Sequence, residues 1–152
     1  MINIALTKIG GKNWTGGDTY LLNLVGMINR NLSNKIKIYL ILSQNQKKII
    51  NKSILNKVNV IEYNNVEYLN SRLNRLKTFI YGKNKEFENL LIKYSIDLVF
   101  EAGFFLGKKF KIPIISWIPD FLHKHLSHLF AKYELFIRES DFLSKIYSNR
   151  SI

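Results

Sequence analysis

Short apolar runs of strand length recur along this chain, separated by stretches with helical periodicity, and that alternation constrains the fold more than any other feature. Ile2–Thr7, Ile36–Leu42 (IKIYLIL), Val58–Tyr63 (VNVIEY) and Asp97–Glu101 (DLVFE) each read as a strand. A fifth run begins at Ile112, and Ile114, Ile115, Trp117 and Ile118 suit a strand buried on both faces. Pro119 cannot donate a ladder hydrogen bond, so this strand is expected to stop there. Between the runs lie helical patterns. From Asp18, Leu21, Leu24, Val25 and Ile28 recur at helical spacing, with Asp18 or Thr19 as the cap. Asn65–Ile80 predicts an amphipathic helix burying Leu69, Leu73, Leu76 and Ile80, and Asn84–Tyr94 another burying Phe87, Leu90 and Leu91. The polar segment between the second and third strands suits a short helix, and Phe104–Phe110 a helical turn. His125 to about Tyr147 reads as helix, with Leu135, Phe136, Leu143, Ile146 and Tyr147 as its buried side.

Strands alternating with helices predict an α/β fold, a Rossmann-like doubly wound parallel sheet with helices on both faces, over one domain spanning residues 1–152. The pattern ends just past a helix, where another strand is due, so the expectation is an incomplete domain. The 23 basic residues outnumber the 11 acidic ones, for a formal charge of +12. That balance favours anionic partners. The basic residues are scattered, apart from Lys47-Lys48 and Lys108–Lys111, and form no coherent stripe with stacking aromatics. Specific nucleic-acid binding is therefore not expected, whereas weak contact with an anionic membrane surface is open. Cysteine is absent, which excludes disulfides, thiol catalysis and thiolate metal sites. The start of the chain lacks a basic segment before its apolar run, and no run reaches the ~20 residues of a transmembrane helix. The expected location is cytoplasmic, at most peripheral at the inner face of the membrane.

Two stretches carry chemistry. Lys8–Gly17 (KIGGKNWTGG) lies between a strand and a capped helix, and Gly16 and Gly17 would let a phosphate approach the backbone and the helix N-terminus. It is neither a dinucleotide-binding glycine motif nor a Walker A loop, and a plain flexible connection accounts for it as well. The second stretch, Ile112–Phe130, presents Asp120, His123, His125 and His128 where a strand leaves an apolar core. Ligands of open parallel sheets bind at such carboxyl ends. On a helix only His125 and His128 share a face, so a metal site would need a carboxylate from elsewhere; none is expected. Asp120 and one histidine suit hydrogen bonding to a sugar or other polyol, and His123 is the candidate general base.

Trp14-Thr15-Gly16-Gly17-Asp18-Thr19-Tyr20-Leu21-Leu22-Asn23-Leu24 and Ser116-Trp117-Ile118-Pro119-Asp120-Phe121-Leu122-His123-Lys124-His125-Leu126 together resemble the N-terminal domain of retaining GT-B glycosyltransferases, the family 4-like "glycosyl transferases group 1" enzymes. Many of these carry a strand close to W-I-P-D-F-Q-H and then a helix with an arginine, matched here by Arg138. Leu122 stands where that family often has glutamine, and Ser127 where a proline is common. The resemblance implies the half of a two-domain enzyme that binds a glycan or lipid-linked acceptor. Gly16 and Gly17 would approach the donor diphosphate, Asp120 and His123 would be the catalytic cleft residues, and Trp117, His125 and Arg138 would contact substrate. A nucleotide sugar is then the co-substrate, with no other cofactor and no metal. The domain that binds it, with its paired glutamates, is absent from these residues, which would then be either a truncated product or one subunit completed by a separate chain; alone, the half is expected to be inactive. The alternatives are a stand-alone basic α/β module for a phosphorylated ligand or nucleic acid, and an inactive remnant.

Overall fold

A computed structural model describes residues 1–9, 15–101, 104–116 and 121–148. Five strands, β1 (Ile2–Thr7), β2 (Ile36–Leu42), β3 (Asn59–Glu62), β4 (Leu98–Glu101) and β5 (Ile114–Ser116), form one sheet in the order β3-β2-β1-β4-β5. Every pairing is parallel, with Ile4 opposite Ile38 on one side and Leu98 on the other. The fold is the expected α/β class.

Strand residues alternate between two cores, as the two-residue period requires. Ala5, Ile41, Ile61, Val99 and Ile114 face one side, where Phe87, Leu91, Phe104, Leu106 and Phe110 cover them. Leu6, Ile38, Leu40 and Leu42 face the other, under Leu21, Val25, Ile50 and Ile54. The second side is built by α1 (Thr15–Leu32), by α3 (Lys52–Leu55) and by Ile50, which follows the solvent-facing α2 (Gln44–Ile49). The first is built by α5 (Lys85–Lys93) and by the 3-10 segment Asn64–Asn70, which precedes α4 (Arg72–Tyr81). Past β5 come α6 (Leu122–His125), a 3-10 turn at Ser127–Leu129, and α7 (Lys132–Ser148).

Four expectations fail. The helix predicted over Asn65–Ile80 is broken at Ser71, whose extended backbone (ψ 147°) resets the helical phase and whose hydroxyl caps Asn74. Leu69, before the break, is buried, whereas Leu73, Leu76 and Ile80 are 58–68% exposed. The side of α4 facing inward carries Asn74 and Thr78. Asn74 donates to the Leu69 carbonyl (2.9 Å) and accepts from Asn84 (2.9 Å), so a satisfied amide network rather than an apolar stripe seats this helix. Second, Phe104–Phe110 forms no helix; its aromatic and aliphatic side chains fill the first core directly, in place of the usual crossover helix. Third, β5 is an edge strand, and Ile115 is 41% exposed rather than buried on both faces. Fourth, the helix expected from His125 begins only at Lys132, after α6 and a 3-10 turn, and Phe136 and Leu143 of α7 are exposed. The side chains of Ile146 and Tyr147 lie outside those described.

The corner between α4 and α5 is clamped to the β4–β5 connection. Asn84 donates to the Leu106 carbonyl (3.0 Å) and Lys109 to the Gly82 carbonyl (2.8 Å). Glu88, only 2% exposed, accepts from the Lys111 N–H (2.7 Å) and pairs with Lys83. Gly82 (φ 75°) and Gly107 (φ 91°) meet backbone to backbone, and a Cβ on Gly107 would lie 2.3 Å from the Gly82 carbonyl oxygen. Gly107→Ala is therefore expected to lower the unfolding free energy by about 2 kcal/mol or more, through both φ strain and the clash. Phe87 is fully buried and stacks on Phe110 at 6.3 Å. Phe87→Ala should cost about 3–5 kcal/mol. Urea denaturation of both variants checks these values.

Candidate functional site

In an all-parallel sheet the carboxyl ends of all strands lie along one edge. Here β1 has β2 on one side and β4 on the other, so the winding reverses between β1 and β4. That reversal is where open α/β sheets hold ligands. The chain leaving β1 leads into α1, and the chain leaving β5 leads toward α6. β1 and β5 are separated by β4 alone, two ladder spacings or about 10 Å apart. The glycine stretch and the histidine stretch therefore depart from the same edge of the sheet.

Gly16 and Gly17 are not in a loop. Both belong to the first turn of α1, which begins at Thr15, before the cap position expected at Asp18 or Thr19. Gly16 is exposed and Gly17 buried. First-turn N–H groups have no acceptor within their helix and sit at the positive end of its dipole. Asp18 brings a carboxylate into that turn, and its Oδ1 lies 3.2 Å from the Lys8 Nζ. The Lys8 side chain is 4% exposed and that of Asp18 24%. The approach has ion-pair distance without hydrogen-bond alignment, since Asp18 Oδ1 makes no hydrogen bond among the described residues. The pair ties the exit of β1 to the start of α1. Sequence reasoning passed over Lys8; the available signal was a lysine directly after a strand and an acid in the first turn of the next helix. Thr7, the last residue of β1, is fully buried, and its Oγ1 has no hydrogen-bond partner among the described residues. The first turn of α1 and the Lys8–Asp18 pair thus sit at the switch point, a position suited to an anionic or polyhydroxylated ligand.

At the other end of the edge, His123 is 7% exposed on α6. Its Nε2 lies 3.6 Å from Glu139 Oε2 of α7, beyond hydrogen-bond reach, and has no hydrogen-bond partner among the described residues. Its ring meets Phe142 edge-on at 6.1 Å. Lys124 Nζ donates to Glu139 Oε1 (2.6 Å) and lies over the Phe142 ring at 5.0 Å. Phe121 packs on the same ring at 5.6 Å. Glu139 and Phe142, three apart and so on one face of α7, hold this histidine. Neither stands out in the sequence, whose motif there points to Arg138. The Arg138 guanidinium instead stands over Phe130 at 4.6 Å. His125 and His128 are exposed. Trp117 and Asp120 lie outside the described residues. Among the described residues no three His, Asp or Glu side chains converge to hold a metal, and no helix is long and apolar enough to cross a membrane.

A third polar group sits beside α5. The Tyr63 hydroxyl donates to Glu86 Oε1 (2.9 Å), which also accepts from Asn65 (2.9 Å). Burial, then the Glu86 carboxylate, push the Tyr63 phenol well above its ordinary range, so it stays protonated and acts as a donor.

Comparison of the chain with protein-family profiles, curated proteins and solved structures finds no match. Lys8→Ala should lower the unfolding free energy by about 2 kcal/mol. Loss of a fully buried pair costs more, but Asp18 is partly exposed and keeps its helix N-terminus. Urea melts of the variant beside Asp18→Asn measure it, and similar losses in both variants would mark the two side chains as one unit.

Proposed function

We propose that these residues form the acceptor-side half of a retaining glycosyltransferase of the GT-B kind. The observation that carries the reading is topological. The two stretches that resemble that family leave the same carboxyl edge of one parallel sheet, flanking its switch point. A nucleotide-sugar donor bound by a second domain would meet an acceptor held along this edge.

In this reading Gly16 and Gly17 present first-turn N–H groups to the donor diphosphate, beside the Lys8–Asp18 pair. By the family resemblance Asp120, His123, Trp117 and His125 would serve the acceptor side of the cleft, Trp117 and Asp120 lying outside the described residues. His123 keeps its place through Glu139 and Phe142. Arg138, on the exposed side of α7, belongs to the wall that the second domain would face. Transfer also needs preorganised charge opposite the leaving diphosphate. Lys8 is already paired with Asp18, so that charge must come from the donor-binding domain.

The test has two arms. The purified 152-residue chain, incubated with UDP- and GDP-sugars and oligosaccharide or lipid-linked acceptors, is expected to show neither transfer nor donor hydrolysis. Adding a donor-binding domain with paired glutamates, taken from the neighbouring coding sequence, is expected to restore transfer. Turnover by the chain alone would overturn the half-site assignment. Binding to DNA or RNA whose affinity falls with salt by a slope of several phosphates would overturn the glycosyltransferase reading.

A further inference from the structure

α4 presents an apolar stripe to the outside. Leu73, Leu76, Phe79 and Ile80 are 58–75% exposed, and Tyr81 at the end of the helix is 72% exposed. At about 100° per residue the first four share one face, which also holds Arg72, while Lys77 and Arg75 flank it on opposite sides. The opposite face is locked inward by the hydrogen bonds of Asn74 and the burial of Thr78, so the stripe cannot roll into the core.

The charge along the stripe itself has one sign, although Lys83 beyond its end is paired with Glu88. Residues 72–85 contain Arg72, Arg75, Lys77, Lys83 and Lys85 and no acid. The stem of Lys109 lies across Gly82 at the carboxyl end of α4, adding a further cation beside the helix. An open pocket of about 460 Å³ adjoins it, lined by Tyr68, Lys77, Tyr81, Lys83 and Lys85 among others. The one acid in its lining, Glu86, is engaged by Tyr63 and Asn65. Another exposed apolar surface among the described residues, around Tyr133, Phe136 and Ile137 of α7, carries mixed charge, with Glu134 and Glu139 on the same helix. It makes no comparable electrostatic choice.

We infer that α4 is an interfacial docking helix for an anionic lipid surface. Leu73, Leu76, Phe79 and Ile80 enter the boundary between headgroups and acyl chains. Arg72, Lys77 and Lys85 lie at phosphate level, and the adjoining pocket receives a headgroup. The match is of chemistry: a short apolar stripe bordered only by cations fits an anionic, amphipathic interface, and a protein partner would be expected to meet some acid as well. The inference stands independently of the glycosyltransferase reading.

Co-sedimentation with vesicles tests it, using phosphatidylcholine alone and phosphatidylcholine with about 30% phosphatidylglycerol, which gives the surface an anionic potential. The chain is expected to bind the anionic vesicles, weakly or not at all the neutral ones, and less as salt rises. The double substitution Leu76→Glu with Phe79→Glu should weaken that binding at least about tenfold by removing the inserted area. Both positions are exposed, so its thermal melt should match the parent. Lys77→Gln and Lys85→Gln should each weaken it by about fivefold. Three results would overturn the inference. One is no binding to anionic vesicles. Another is undiminished binding by the Leu76→Glu/Phe79→Glu variant, which would mean adsorption by net charge alone. The third is a concentration-dependent dimer that the same variant abolishes, which would assign the stripe to a second copy.

Discussion

The parallel sheet must be covered on both faces, and most of the molecule follows from that requirement. A parallel ladder with helical crossovers leaves no strand face for water, so each strand alternates between two cores rather than between core and solvent. Ala5 and Leu6, adjacent in β1, lie in different cores for this reason. The same parallelism places every strand's carboxyl end along one edge. The winding reverses beside β1, the position at which open α/β sheets hold ligands. Lys8 and Asp18 are the local consequence: a lysine forced inward at the end of a buried strand is matched by an acid on the first turn of the helix that covers it.

The other face is held by a different kind of contact. The crossover from β4 to β5 lacks a helix in its described part, and Phe104, Leu106 and Phe110 fill the core themselves. A non-helical crossover must find partners for its backbone polar groups elsewhere. It finds them at the α4–α5 corner, through Asn84, Gly82 and Glu88. The corner in turn depends on the buried amides of Asn74 and Asn84. Seating those amides inward turns the apolar residues of α4 outward. One buried polar network thus explains both how the connection is anchored and why a leucine- and phenylalanine-bearing face meets the surroundings.

The histidine stretch shows a comparable trade between polarity and placement. His123 is enclosed by Glu139 and Phe142 rather than presented freely at the strand edge. The neighbouring Lys124 satisfies the outer oxygen of Glu139, leaving its inner oxygen toward the imidazole. The histidine and its carboxylate are thus held across the contact of two helices, near the end of the edge strand β5. Arg138, one residue before Glu139, points to Phe130 because adjacent helical positions face about 100° apart.

By itself the sequence determined the strands, their parallel class and the α1 and α5 residues that cover the sheet. Runs such as IKIYLIL and DLVFE have few alternatives once helical segments separate them. It also marked the two stretches that leave the carboxyl edge, since glycine, proline and histidine interrupt the apolar pattern there. Periodicity could not see which face of α4 turns inward. The hydrophobic stripe predicted burial, but Ser71 breaks the helix and shifts its phase, and Asn74 finds in Asn84 a partner only the folded corner supplies. The Lys8–Asp18 and His123–Glu139 pairs were likewise invisible. Each joins residues whose distance is set by how helices cross the sheet or one another, and single-chain spacing carries no record of it. Local pattern decided what could be buried; tertiary packing decided which polar groups found partners, and therefore which apolar residues were left outside.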